Sequence, residues 1–260
     1  LLLFGFLGLV LYLKGRNKNS DWWILGSAIF LTCAPSIKWI GASYLALVII
    51  FEIQRLLSQK ATRKNWLQSF FFFLVVPAGI YFSVFFAHFT LLKNSGDGDA
   101  FMTPQFQKTL IGSSYQNDQP VKPLGIFGKF FELNDEMYRA NRDLSAGHPY
   151  GSKWYSWPAM TRPIYYWNQK VGSAEAKIYL LGNPFIYWIS ALAVLLLAGS
   201  FVLRRKIWKE NKKTALFLLT GFALNFFPFI AIGRVMFLYH YFSALIFAIL
   251  TLAFLVDKIK

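Results

Sequence analysis

The sequence predicts an all-α polytopic membrane protein, with about seven transmembrane helices and one long external loop that carries short juxtamembrane helices. Three observations predict it. Of the 260 residues, 56% are hydrophobic and 19% aromatic but only 15% are charged, a balance too apolar for a domain solvated by water. Several runs reach the roughly 20 apolar residues needed to cross a bilayer. The basic residues are also sorted along the chain rather than spread over it.

Leu1 to Leu13 is apolar but only about half a span long, and it starts without Met; the chain is expected to begin inside a helix. No basic stretch precedes this run and no cleavage-like site precedes Lys14, so a secretory signal is the weaker reading. Trp22 to Ala34 and Trp39 to Leu57 flank Pro35-Ser36-Ile37-Lys38, which predicts a tight external turn between antiparallel helices. Leu67 to Leu92, Tyr179 to Leu203, Thr214 to Ile232 and Phe237 to Val256 are the clearest spans. The chain therefore divides into helices over 1–92, an external loop over 93–178 and C-terminal helices over 179–260. The loop is rich in Gly, Pro, Trp and Tyr, which predicts ordered structure rather than a linker. Within it, Pro104 to Ile111 predicts a short helix that lays Phe106 and Leu110 on the bilayer surface; Ile126 to Phe131 is a less clean candidate.

The net charge of +15 is a statement about topology. Helix alternation puts Lys14 to Asp21, Glu52 to Asn65, Arg204 to Lys213 and Asp257 to Lys260 on one side, with 15 of the 27 basic residues and four of the 12 acids. Short basic loops mark the cytoplasm, so the long loop is external and nucleic acid is not an expected partner. The single cysteine, Cys33, lies in an apolar helix and cannot form an internal disulfide.

Lys38, His88, Asp99, Gln107, His148, Arg162, Arg234 and His240 gather on the external side. Taken singly they are ordinary interfacial residues, since Lys and Arg snorkel and Tyr239 and Tyr241 suit an aromatic belt. Taken together they suit a site at the membrane boundary. Arg234 follows Ile230-Ala231-Ile232-Gly233 at the outer end of a span, where its charge could hold a phosphate. His240 lies just inside the next span and is either functional or a hydrogen-bonded structural histidine. The three histidines lack ligand spacing and no cysteine cluster exists, so no metal is expected, nor any other cofactor.

Four blocks carry a family resemblance. They are Asn94-Ser95-Gly96-Asp97-Gly98-Asp99-Ala100-Phe101-Met102-Thr103-Pro104-Gln105-Phe106-Gln107; His148-Pro149-Tyr150-Gly151-Ser152-Lys153-Trp154-Tyr155-Ser156-Trp157-Pro158 with Arg162-Pro163-Ile164-Tyr165-Tyr166-Trp167; Tyr179-Leu180-Leu181-Gly182-Asn183-Pro184; and Arg234 through Phe242. In this order they resemble the protein O-mannosyltransferase family, the dolichyl-phosphate-mannose-protein mannosyltransferases of the membrane-embedded GT-C class (glycosyltransferase family 39). Gly112 to Leu133 is too short for the β-trefoil MIR domain of eukaryotic members, so the resemblance is to a bacterial type.

The resemblance implies transfer of mannose from a polyprenyl (dolichyl-type) phosphate mannose to Ser or Thr hydroxyls of secreted or membrane proteins. Transfer would invert the anomeric carbon, at the external face of a multi-pass protein of the bacterial plasma membrane. Such transfer needs a cationic pocket for the departing phosphate and a carboxylate for the acceptor's proton. Arg234 and Lys38 are expected at the phosphate, with Asp99, Gln107, His148, Arg162, Tyr239 and His240 around the sugar or acceptor. The family's catalytic acidic pair lies in a first external loop that precedes the segment matched here, so the fragment alone is expected to be inactive. The alternatives are another GT-C enzyme, of the aminoarabinose-transferase kind, and, less favoured, a transporter, for which Asn225 and Pro228 in one span are the only hint.

Overall fold

The computed structural model describes residues 1–203 and 206–259; Arg204, Arg205 and Lys260, which belong to two of the basic segments above, lie outside the described residues. The chain forms two compact units that interleave along the sequence. Leu3–Trp39 with Thr62–Leu144 make one, and Ile40–Ala61 with Ser145–Lys260 the other. Among the described residues, five helices are long and apolar enough to cross a membrane: Trp39–Ser58, Arg63–Leu91, Pro184–Val202, Glu210–Ala231 and Leu238–Lys258. The protein is therefore an integral, multi-pass membrane protein. Two 17-residue helices, α1 (Leu2–Lys18) and α2 (Asp21–Ile37), accompany them.

In the first unit, α1 and α2 pack closely because α1 offers glycines to its partner. A Cβ on Gly8 would lie 2.7 Å from Leu31 Cγ, and one on Gly15 2.7 Å from Ile24 Cδ1. Close approach lets Ser27 Oγ donate to the Gly8 carbonyl at 2.8 Å, the small-residue packing that membranes favour. The α2 helix runs through Pro35 as far as Ile37, so the expected four-residue break shrinks to Lys38 and a 3-10 turn over Trp39–Gly41. Next, α4 (Arg63–Phe70) and α5 (Val76–Leu91) form one long helix. Thr62 and Asn65 cap its start reciprocally. A π turn at Phe71–Val75, where Val76 N–H reaches back to Phe71 O, precedes Pro77, which has no N–H to offer the ladder.

The loop departs from expectation in two places. The helix expected over Pro104 to Ile111 stops at Gln107, giving a short α6 (Pro104–Gln107). Ile111 is drawn away into a bridge with Asn94, its N–H donating to Lys93 O at 2.8 Å while its carbonyl accepts from Ser95 N–H at 2.9 Å. Phe106 is consequently buried against Phe89 rather than laid on a bilayer. Conversely, the weak candidate at Ile126 extends into an 18-residue helix, α7 (Ile126–Asp143). It docks on the outer half of α5 through Phe127 and Phe130 against Phe82, and Phe130 against Phe85.

In the second unit α10 (Phe242–Ile259) packs on α8 (Pro184–Val202) and on α9 (Lys206–Phe226), and α3 (Ala42–Ser58) packs on α9. Within the interior Ser43 Oγ donates to Asn225 Oδ1 at 2.7 Å, while Asn225 Nδ2 donates to Gly221 O at 2.9 Å. The helical segment of α9 ends at Phe226, and Pro228 lies in a 3-10 turn, Phe227–Ala231. The all-helical expectation omitted a two-stranded antiparallel hairpin, β1 (Ile164–Val171) and β2 (Ala174–Leu180). Gly172, at φ 62°, supplies the left-handed residue of its two-residue turn. This corrects the start of one span: Tyr179 and Leu180 belong to β2, and α8 begins at Pro184 with Asn183 Oδ1 accepting from Ile186 N–H at 3.3 Å.

Two outcomes follow. The Ser43→Ala variant leaves the fully buried Asn225 oxygen without its donor and lowers stability by about 1–2 kcal/mol, whereas Ser43→Ala with Asn225→Leu loses less than the sum of the single changes; thermal unfolding in detergent measures both. In the hairpin, Lys177 and then Asn168 hold the Glu175 carboxylate below its ordinary range. That contribution is present above the ordinary carboxylate pKa and is lost as pH falls through the lowered value. Amide hydrogen exchange over 164–180 should accelerate, beyond its intrinsic pH dependence, on acidification through that window in the native chain and not in Glu175→Gln.

Candidate functional site

The second unit gathers most of the expected residues around one irregular segment. Between the end of the 3-10 turn at Ala231 and the start of the next, Leu238–Tyr241, residues 232–237 make no regular helix, and their backbone needs partners from elsewhere. The loop His148–Ser152 supplies one: Ser152 N–H donates to Met236 O at 2.8 Å. Gly151 permits the approach, since a Cβ there would lie 2.8 Å from Val235 Cγ2 and 3.1 Å from His148 O. The loop is itself folded back, with Gly151 N–H on His148 O at 2.9 Å and Tyr150 N–H on His148 Nδ1 at 3.2 Å.

Arg162 closes that loop from outside, its guanidinium donating to Pro149 O at 3.2 Å and to Gly151 O at 3.3 Å. Its visible role is thus to shape the loop. His148 stays exposed, with its ring edge-on to Phe237 at 5.1 Å. Tyr150 stacks on Tyr165 of β1 at 5.1 Å and meets Tyr179 of β2 at 6.1 Å, joining hairpin and loop. The Tyr179 hydroxyl, which bonds it, and then desolvation push the Tyr150 phenol up from its ordinary value.

Beneath the loop lies an aromatic stack. Trp157, only 1% exposed, donates from Nε1 to Ser152 Oγ at 2.9 Å. Its ring lies parallel to His240 at 5.9 Å, and His240 is stacked on Tyr239 at 4.3 Å. His240 Nδ1 faces both the Phe237 N–H, at 3.2 Å, and the Phe237 carbonyl, at 3.0 Å, which fixes the imidazole against the turn. His148, Arg162, Tyr239 and His240 therefore share one neighbourhood with the segment that bears Arg234. Arg234 is part-buried at the bend of that segment and, among the described residues, makes no hydrogen bond or ion pair. Two supporting residues, Ser152 and Trp157, stand in a block of the family resemblance but have no role assigned from sequence; their mutual bond supplies one.

The remaining expected residues lie in the first unit. Lys38 is exposed at the end of α2 in extended backbone. The Asp99 carboxylate accepts from Ser95 Oγ inside a tight turn, and Gln107 turns back on its own loop, donating to Met102 O at 2.8 Å. Glu132 of α7 holds the segment between them, accepting from Thr103 N–H at 2.7 Å and from Thr103 Oγ1 at 2.9 Å. Nothing in the local pattern signals this pairing, which closes 29 residues of loop. A second tie runs from Trp39 Nε1 to Tyr81 Oη at 2.9 Å and on to Asn134 Oδ1 at 2.7 Å.

Similarity to known proteins divides the chain in sequence order instead. Residues 1–93 match the family model described as dolichyl-phosphate-mannose-protein mannosyltransferase, and residues 126–260 match the model of the C-terminal four-transmembrane region of protein O-mannosyltransferase. Dolichyl-phosphate-mannose–protein mannosyltransferase 1 of Saccharomyces cerevisiae is 34% identical over 150 residues, which cover 53% of this chain and 18% of that protein. Protein O-mannosyltransferase 1 of Drosophila pseudoobscura is 30% identical over 148 residues, 52% of this chain and 16% of the relative. These matches thus take in less than a fifth of each curated relative. The structure of the Saccharomyces cerevisiae Pmt1–Pmt2 protein O-mannosyltransferase complex bound to the sugar donor superposes with a TM-score of 0.76 at 18% identity, over 92% of this chain and 62% of that one, a likeness of fold. With one model covering more than half of its residues and the other most of the rest, the chain belongs to the protein O-mannosyltransferase family.

Proposed function

We propose that this chain contributes the phosphate-holding part of an enzyme that transfers mannose, with inversion, from a polyprenyl-phosphate mannose to Ser or Thr hydroxyls of exported proteins. In this reading the site faces the outside of a bacterial plasma membrane, helices 1–92 and 179–260 lie in the bilayer, and the loop 93–178 lies outside it. One observation carries the proposal. Arg234 is part-buried, sits on irregular backbone at the end of a membrane span, and has no anionic partner among the described residues.

A part-buried cation held apart from carboxylates is costly to keep unless something anionic visits it. The phosphate of a lipid-linked sugar is an anion of the right location, since it lies at the headgroup level where the spans end. As the glycosidic bond breaks, charge accumulates on the departing phosphate, and a guanidinium fork matches two of its oxygens. His148, Tyr239 and His240 are proposed to shape the sugar and acceptor pocket, and Arg162 to hold the His148 loop. The reading assigns no proton acceptor among the residues of this chain.

In membranes containing the full-length enzyme, with radiolabelled polyprenyl-phosphate mannose and a Ser/Thr-rich peptide, Arg234→Ala should reduce transfer to peptide by about 100-fold or more, and Arg234→Lys should restore only part of it. Unchanged transfer in Arg234→Ala would remove Arg234 from the donor site; label entering lipid rather than peptide in the native enzyme would move the assignment to a lipid-modifying GT-C enzyme. Arg162→Ala, which frees the loop while leaving Arg234 in place, should lower kcat/KM for peptide by about 10-fold with membrane level unchanged.

A further inference from the structure

We infer that α7 is a membrane-seated helix, lying at the outer headgroup layer with the stripe Phe127, Phe131 and Tyr138 turned into lipid. The helix is two-faced. At 100° per residue Phe127, Phe131 and Tyr138 fall within 40° of one another, with Asp135 and Arg142 along one edge of that stripe and Lys129, Glu132, Glu136, Arg139 and Asp143 on the opposite side. Docking on α5 does not use up the apolar side: Phe127 remains 63% and Phe131 67% exposed, and Tyr138 52%. Large aromatic side chains left this open beside a membrane span need an apolar or interfacial solvent.

The level at which α7 meets α5 identifies that solvent. The helix Arg63–Leu91 has 29 residues, about 43 Å at 1.5 Å per residue, while the hydrocarbon core is only about 30 Å thick. Its inner end is marked by Arg63, Lys64 and Asn65 and by Gln68 Nε2 donating to Asp21 Oδ2 at 2.6 Å. Counting about 20 residues outward from Leu67, the first apolar residue, the helix leaves the core close to Ala87. The aromatic contacts of α7 fall at that level: Phe130 on Phe82 and Phe85, and the Lys129 ammonium over the Phe89 ring at 4.9 Å. The exposed stripe is thus continuous with the lipid-facing surface of a span, where Phe86 is also exposed. Most of the charge lies on the opposite side of the helix, and at the end of the stripe the Arg142 guanidinium lies over the Tyr138 ring at 5.6 Å, an arrangement that suits an interfacial helix. Through the Glu132–Thr103 pair, the level of α7 is also the level of the Asp99 to Gln107 segment.

The test needs no enzymatic activity, so it stands or falls apart from the proposed reaction. In a Cys33→Ser background, Phe131→Cys and Glu136→Cys are each labelled with an environment-sensitive fluorophore in the full chain reconstituted into phosphatidylcholine vesicles. At 131 the label should be quenched strongly by a nitroxide on the upper acyl chain and at least threefold less by aqueous iodide than the label at 136. Equal iodide quenching at the two positions would overturn the inference. So would shielding of 131 from iodide without quenching by the lipid nitroxide, which would show the stripe covered by protein, including a second copy of this chain.

Discussion

Hydrocarbon offers a peptide group nothing to bond to, and that constraint organises this molecule. Along the spans the helical ladder meets it. Wherever the ladder stops, the donors and acceptors must be found in protein. The stretch after Ala231 is the main case. It is irregular, it bears Arg234, and its backbone is completed by a loop that starts about 85 residues earlier in the chain, through Ser152 on Met236. Proline at 228, glycine at 151 and the bond from Trp157 to Ser152 are adjustments that make one exchange of hydrogen bonds possible.

The first unit answers the same constraint differently. Its loop gains rigidity from α7 side chains that reach across sequence, Glu132 to Thr103 and Asn134 to Tyr81. Rings do the rest: Phe82, Phe85 and Phe89 form a surface on which α7 and α6 are set at fixed heights. Aromatic side chains give large contact area at small entropic cost, which suits a region with few aliphatic residues and many charges.

The spans were legible in the sequence because length and apolarity are properties of a contiguous stretch, and so was the family, whose blocks are also contiguous. What escaped was set by pairing at a distance. Nothing local in Pro104 to Ile111 announces that Ile111 will bridge to Asn94, and without that bridge the helix would run on. The hairpin was hidden because Tyr179 and Leu180 are as apolar as the helix they precede, and because Tyr165-Tyr166-Trp167 reads equally as interfacial belt. Helix α7 is a less clean candidate in the sequence than in the structure, since Gly128 interrupts its start and its charges obscure an apolar stripe that only the 3.6-residue period resolves. In the candidate site, His148, Arg162 and Arg234 could be named from charge and motif, but that Arg162 would serve the loop's own carbonyls required coordinates.

The bond between Ser43 and Asn225 spans 182 residues of sequence. A ribosome adding roughly 5–20 residues each second would deliver Asn225 on the order of 10 to 40 seconds after Ser43. For that interval α3 sits in the membrane with its polar partner unmade and the helix it packs against not yet synthesised, although the unit that flanks it in sequence is being completed. Biogenesis of this protein therefore contains an obligatory wait, during which α3 must be sheltered by the insertion machinery or by lipid itself. The interleaved chain path makes the second unit the last to close, however early its first helix is inserted.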